Sequence, residues 1–269
     1  MTNRSLDWPA LRNARDLGGL PLSGGGETRF GAVVRSETLR QLTPVGWHEL
    51  SAYGVATLVD LRLQVEVDAN DPFEAGPVGL SREPGAGGVA ADGRPPDLRT
   101  IHVSVLGEPD RRLAQHFDGI SRAQPDEIAS TRAVYLEMLA LYRTHLARAV
   151  ATVADAPPGG VLVHCYAGKD RTGLVVALLL SVAAVQAEAI AADYALSGPN
   201  VAPSLAAWVE EAADPKGREH RRRIALAPER AMLDVLGELD KRHGGTVRYL
   251  AAAGLTEADF ATIRERLVA

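Results

Sequence analysis

Apolar and polar residues follow two periods along this chain. In its first half the apolar residues come in short runs. Val55-Ala56-Thr57-Leu58-Val59-Asp60-Leu61 is nearly continuous and ends on an acid, the pattern of a strand buried on both faces of a parallel sheet. Residues 32–35, 100–106 and 161–163 read as further short strands. Leu20-Pro21-Leu22 and Arg29-Phe30-Gly31 flank Ser23-Gly24-Gly25-Gly26 and predict a hairpin. Between the strands, Thr43-Pro44 supplies an N-cap and a first-turn proline, so a helix runs from there to about Tyr53 and stops at Gly54.

The period then changes. Tyr135, Met138, Leu139, Tyr142, Leu146 and Val150 recur at threes and fours, which predicts one long helix over 128–153 with a core-facing stripe. Leu113 to Ile120 suits a short helix. Further helices are expected over 172–185, 187–196, 204–213, 228–243, 247–252 and 257–268. Strands alternating with helices early, and helices accumulating late, give an α/β fold: a mostly parallel central sheet flanked by helices, with a helical C-terminal part. We expect one domain over 1–269. Its one long Gly- and Pro-rich loop, 76–97, is a candidate lid, because structureless loops of this length are commonly functional.

Composition narrows the setting. The 269 residues are 46% hydrophobic and 23% charged, with a net charge of −5, so non-specific nucleic-acid binding is not expected. The N-terminal residues have no apolar core of a signal peptide. The longest apolar run, Leu174 to Val185, is shorter than the ~18–20 residues that span a bilayer. A cytoplasmic setting without membrane insertion is expected, with signal-less export as the alternative. The single cysteine, Cys165, rules out an intrachain disulfide and turns attention to its reactivity.

Cys165 lies between the apolar strand and the apolar helix of 172–185, six positions before Arg171. Five residues linking a strand end to a helix start can turn their N–H groups inward and cradle a dianion at the positive end of the helix. Arg171 can add a bidentate pair to two phosphate oxygens. The same positive field makes a thiolate available for attack on phosphorus, giving a phosphocysteine that water hydrolyses. The chemistry needs no cofactor and no metal. A nucleotide-binding loop would need glycine at 163 and Ser or Thr at 170; Val163 and Asp170 stand there.

The stretch His164-Cys165-Tyr166-Ala167-Gly168-Lys169-Asp170-Arg171-Thr172-Gly173 resembles the signature of protein tyrosine phosphatases, HCxxGxxR(S/T)G. Its Gly-Lys-Asp-Arg-Thr-Gly form is similar to a bacterial subgroup of tyrosine and phosphoinositide phosphatases typified by a secreted mycobacterial enzyme. Asn13-Ala14-Arg15-Asp16-Leu17-Gly18-Gly19, Val34-Arg35-Ser36, Val59-Asp60-Leu61-Arg62, Asp193-Tyr194-Ala195-Leu196-Ser197 and Tyr249-Leu250 extend the resemblance along most of the chain.

The resemblance implies the cysteine-phosphatase fold and a phosphorylated protein or phosphoinositide as substrate. It implies Cys165 as nucleophile, Arg171 as phosphate clamp, His164 as support of the loop, and Thr172 as the hydroxyl that stabilises the departing thiolate. Tyr166, Ala167, Gly168, Lys169, Asp170 and Arg171 would surround the phosphate, with Lys169 matching a lysine that lipid phosphatases use for highly charged head groups.

Many relatives carry their general acid on a Trp-Pro-Asp loop, but Trp8-Pro9 is followed here by Ala10. Asp170 is the first candidate, because the subgroup carries an aspartate there; Asp60 and Asp110 are the second candidates, each near a predicted strand end. Two other readings stay open at this point: a phosphate-binding pseudophosphatase, and a rhodanese-like sulfurtransferase. The basic cluster of Lys216, Arg218, Arg221, Arg222 and Arg223 reads as a solvated helix face before an anionic-ligand patch. Oligomeric state is not written in the sequence.

Overall fold

The computed structural model describes residues 4–68, 94–108 and 110–268. The proposed lid loop therefore lies, up to residue 93, outside the described residues. A five-stranded sheet forms the centre: β1 (Arg15–Asp16), β2 (Val33–Ser36), β3 (Val55–Asp60), β4 (Arg99–His102) and β5 (Gly160–His164). Their spatial order is β1-β2-β5-β3-β4. β1 runs antiparallel to β2, and every other pairing is parallel.

β5 thus sits in the middle, fully buried, with β2 on one side and β3 on the other. Side chains alternate across it as the period of two requires. Leu162 faces a smaller core with Val34, Leu58, Trp47 and Leu50. Val161 and Val163 face the main core with Val33, Val59 and the helices of the second half. In register, Ser36 and Asp60 both come level with His164, and His102 with Asp60. The C-terminal ends of all four parallel strands therefore open on one rim, where parallel sheets bind ligands.

Several expectations hold. The turn at Ser23 to Gly26 joins two antiparallel segments, with Pro21 bridged to Glu27. Helix α1 (Pro44–Ala52) starts at Thr43, whose side chain accepts from the Gly46 N–H, and Gly54 follows its end. The edge strand β4 is shorter than 100–106. Its partner β3 ends at Asp60, so the last cross-bond is Val103 N–H to Asp60 O at 2.8 Å and the chain has nothing further to pair with.

The long helix of 128–153 is two helices, α4 (Glu127–Leu141) and α5 (Arg143–Ala154). Tyr142 adopts φ −112° and ψ 26° between them, with its ring stacked on Phe117. The bend lets α4 pack on α3 (Arg111–Arg122) and α10 (Glu229–His243), while α5 packs on α6 (Asp170–Val182) and α12 (Glu257–Leu267). The apolar stripe itself is buried throughout.

The remaining helices are α2 (Gln64–Asp68), α7 (Ala187–Ala195), α8 (Ser197–Glu210), α9 (Pro215–Ala225) and α11 (Thr246–Ala251). α8 begins seven residues before the expected 204 and runs through Pro203. The basic cluster lies on α9, and much of its charge is answered locally. Arg218 and Arg222 pair with Glu210, Arg221 lies over the Trp208 ring, and Arg223 donates to Gln124 O. Among the described residues no helix is long and apolar enough to cross a membrane.

Candidate active site

β5 ends at His164 and α6 begins at Asp170, so Cys165 to Lys169 form the connection on the rim. Its shape follows from where its carbonyls go. Tyr166 O accepts from the Thr38 N–H at 2.8 Å, Ala167 O from Asn13 Nδ2 at 3.0 Å, and Gly168 O from Arg35 Nη2 at 2.8 Å. Three successive carbonyls are held toward β1 and β2. In a planar trans peptide the N–H lies opposite the C=O, so the N–H groups of Ala167, Gly168 and Lys169 project to the other side. They join the free N–H groups of the first turn of α6 there, which makes a concave set of donors.

Gly168 makes the curl feasible. It adopts φ +66°, and a Cβ would come within 2.4 Å of Ser36 O, so a side chain is excluded both by conformation and by space. Gly173 has a different use: a Cβ there would sit 3.0 Å from the Tyr194 ring.

The wall behind the loop is dense with charge. Asp193 on α7 is buried and accepts from Arg4 Nη1 (2.7 Å), Arg15 Nε (3.0 Å) and Arg35 Nη1 (2.8 Å). Burial alone would raise the Asp193 carboxyl, but the three guanidinium groups outweigh it and hold it far below the usual carboxylate range. Burial and repulsion from Arg35 lower Arg15 to about 10. Arg35 thus links Asp193 to the loop carbonyl of Gly168, and Asn13 is itself fixed by Arg15, whose Nη1 donates to Asn13 Oδ1 at 2.5 Å.

Arg171 stands in the first turn of α6. Its two terminal nitrogens fork onto Glu66 of α2, Nη2 to Oε1 at 2.8 Å and Nη1 to Oε2. Leu63 N–H donates to Glu66 Oε2 at 2.7 Å and fixes the carboxylate. Burial opposes ionisation of Glu66, but the Arg171 charge and hydrogen bonds overcome it and keep Glu66 ionised and Arg171 charged. The bidentate fork fixes the guanidinium plane. Thr172 Oγ1 is fully buried and has no hydrogen-bond partner among the described residues.

His164 Nδ1 lies 3.2 Å from Cys165 O, and its own carbonyl accepts from Leu61 N–H at 2.9 Å, so it spans strand end and loop. Burial lowers its pKa below the ordinary histidine value.

The acid candidates differ sharply in surroundings. Asp60 is buried and gripped by Arg62, with Nη2 to Oδ2 at 2.6 Å and Nε to Oδ1 at 2.9 Å. Burial raises its carboxyl, but His164 and Arg62 outweigh that and hold it far below the usual range, so it has no proton to give at neutral pH. Asp110 is exposed and caps α3, accepting from Arg112 N–H at 2.7 Å. Asp170 is half-buried at the loop itself. Its Oδ1 accepts from Tyr135 Oη at 2.7 Å and from Lys169 Nζ at 2.8 Å.

The side chain of Lys169 is engaged within the protein. Its ammonium donates to Asp170 Oδ1, to Ile224 O at 2.8 Å and to Leu226 O at 3.1 Å, and its side chain is buried. Three donors meet three acceptors, so the group ties the loop to the end of α9. Tyr166 and Ala167 are half-buried.

Sequence reasoning missed Glu66, the convergence on Asp193, and the Tyr135 hydroxyl. For Asp193 and Arg35 a signal existed in the flanking motifs; for Glu66, two residues into a five-residue helix, there was none.

The geometry can hold a tetrahedral dianion beside a thiol, and comparison with known proteins agrees. A family model described as "Tyrosine phosphatase family" matches residues 6–269. The chain is 31% identical over 238 residues to the triple specificity protein phosphatase PtpB of Mycobacterium tuberculosis, covering 85% of this chain and 81% of that one. It is 27% identical over 245 residues to a tyrosine-protein phosphatase of Nostoc commune, covering 88% of this chain and 74% of the other.

Proposed function

The chain belongs to the tyrosine phosphatase family, and from that premise we propose that it hydrolyses phosphomonoesters through Cys165, with Arg171 as clamp and Asp170 as general acid. The observation that carries this reading is the loop from Cys165 to Lys169, with three of its carbonyls tied outward, followed in the first turn of α6 by Arg171 forked onto Glu66.

In this reading the phosphate oxygens rest on the inward N–H groups of Tyr166 to Asp170 and on Arg171. The Cys165 thiolate attacks phosphorus and forms an S–P bond as the P–O bond to the leaving group breaks. Asp170 gives its proton to the leaving oxygen. A water then attacks the phosphocysteine while Asp170 takes up its proton, and the thiolate departs. In this reading the Thr172 hydroxyl, which has no other partner among the described residues, donates to sulfur at that step. His164 holds strand end and loop together. Asp60, ionised on Arg62, and Asp110, capping α3, are better suited to structural tasks.

The substrates are phosphotyrosine proteins, and we extend the range to phosphoserine or phosphothreonine and to phosphoinositides. The name of the mycobacterial relative includes triple specificity, which supports a range wider than one phosphoamino acid. The satisfied ammonium of Lys169 argues for indirect rather than direct contact with a charged head group. We take 1–269 as one working domain, and a chemistry that depends on one free thiol suits a reducing compartment such as the cytosol.

The test compares turnover of p-nitrophenyl phosphate and a phosphotyrosine peptide by the wild type and Cys165→Ser. Loss of turnover is expected, and equal turnover overturns the reading. A panel of phosphopeptides and phosphoinositides then sets the range.

A further inference from the structure

Asp170 has two oxygens in different circumstances. Oδ1 accepts from Tyr135 Oη at 2.7 Å and from Lys169 Nζ at 2.8 Å. Oδ2 accepts from no donor among the described residues, and the side chain is 25% exposed. One oxygen is anchored and the other is free.

The anchor has depth. Tyr135 Oη lies 2.9 Å from Tyr194 Oη, and both rings are buried in a T-shaped pair 5.9 Å apart. Each hydroxyl has one proton. Tyr135 gives its proton to Asp170, so the Tyr194 proton must go to Tyr135, and the chain of donors runs one way: Tyr194 to Tyr135 to Asp170. Burial, with the Asp170 charge next, raises the Tyr135 phenol well above its usual value and keeps it a donor throughout the working pH range. Gly173 leaves the room in which the Tyr194 ring sits.

We propose that Tyr135, backed by Tyr194, is a positioning residue for general-acid catalysis: by occupying Oδ1 it confines the transferable proton to Oδ2 and fixes that oxygen toward the leaving group. This rests on the assignment of Asp170 as the acid. The proton travels from Oδ2 to the leaving oxygen as the P–O bond breaks, and returns to Oδ2 from the attacking water; neither tyrosine gains or loses a proton. A carboxyl free to rotate would divide its proton between two oxygens and its time among several rotamers, and catalysis depends on such placement.

The experiment measures kcat/KM on a series of aryl phosphates whose phenols span weak to strong acids, for wild type, Tyr135→Phe, Tyr194→Phe and Asp170→Asn. An acid matters most where the leaving group is poor. Removing a positioned acid costs about 10²-fold or more, so Asp170→Asn should make the rate fall steeply toward poor leaving groups. Tyr135→Phe should steepen the series in the same sense, losing about tenfold on phenyl phosphate and much less on the most acidic phenol. Tyr194→Phe should show a smaller change of the same kind.

If Asp170→Asn is steep while Tyr135→Phe parallels the wild type, the inference about Tyr135 falls and the acid assignment stands. A Tyr135→Phe loss equal across the whole series means a packing role only, and also overturns it. If Asp170→Asn leaves the slope unchanged, the acid assignment itself fails and takes the inference with it. The slope comes from ratios within one protein, so partial misfolding of a variant does not mimic the effect.

Discussion

Behind the cysteine loop, three arginines converge on the single carboxylate of Asp193, and three loop carbonyls are already bound; in front of it, Arg171 meets Glu66 alone, while Thr172 Oγ1 and Asp170 Oδ2 have no partner among the described residues. The back sets three guanidinium groups against one carboxylate, with Arg15, Arg35 and Asp193 buried. In the proposed mechanism the two open groups at the front are the ones that meet sulfur, leaving oxygen and water. The two sides differ in kind: the back is a web of buried bonds to the loop backbone, and the front combines tied groups with two that are open. A buried polar group usually carries a penalty unless satisfied, so the unpartnered Thr172 hydroxyl is informative; behind the loop, Arg35 Nε is also without a partner among the described residues, while both its terminal nitrogens are bound.

The strongest way to break this contrast acts on the front. Cys165→Ser should lower turnover by at least ~10⁴-fold, as loss of a nucleophile does, yet leave the urea midpoint near the wild type. Next comes the back. Asp193→Ala strands Arg15 and Arg35 without their counter-charge, and breaking a buried pair costs about 3–5 kcal/mol of stability. Urea unfolding should show that loss, and a fully stable variant would remove Asp193 from the scaffold. Gly168→Ala tests the join between the sides. Its Cβ collides with the Ser36 carbonyl, and a displacement of about 1 Å in a catalytic constellation costs on the order of 10²-fold in rate, read as kcat/KM on p-nitrophenyl phosphate.

The smallest effect, group by group, is the pH dependence of folding. Asp193, Glu66 and Asp60 are pushed up by burial but pulled further down by their cationic partners. They bind protons less readily folded than unfolded, so unfolding takes up protons. Stability from these groups is complete above the ordinary carboxylate range of about 4 and drains away below it, by no more than about 1.4 kcal/mol per pH unit for each group. Acid titration of the melting temperature in Asp193→Asn should show a shallower decline than in the wild type.

Much of this was legible in the sequence because the informative residues lie side by side. Val161 to Val163 and the run from Leu174 onward mark a buried strand and helix, and Cys165, Gly168 and Arg171 between them state the chemistry in seven positions. Thr43-Pro44 marks a helix start through its own local bonds. What stayed hidden depends on distance. Glu66 reaches Arg171 across 105 positions, and no local pattern carries such a pairing. Tyr135 illustrates the limit best. Its period places the ring in the core, and the ring is there; a hydrophobic period says nothing of the hydroxyl at its far end, which meets Asp170. The bend at Tyr142 keeps the same apolar stripe on both helices, so periodicity could not reveal it. The carbonyl acceptors of the Lys169 ammonium, at Ile224 and Leu226, lie more than fifty positions away, so no local pattern could show where its side chain goes.

The three residues that hold the loop carbonyls, Asn13, Arg35 and Thr38, all precede residue 40, whereas the loop begins at 165. The anion cradle therefore has no local existence. A nascent chain that has just displayed its cysteine carries no pocket until its first strands have found the fifth, a closure over more than 120 residues that contact-order arguments place among the slow events of folding. Recovery of activity during refolding accordingly clocks the completion of the topology, since helices can form early and leave the enzyme silent.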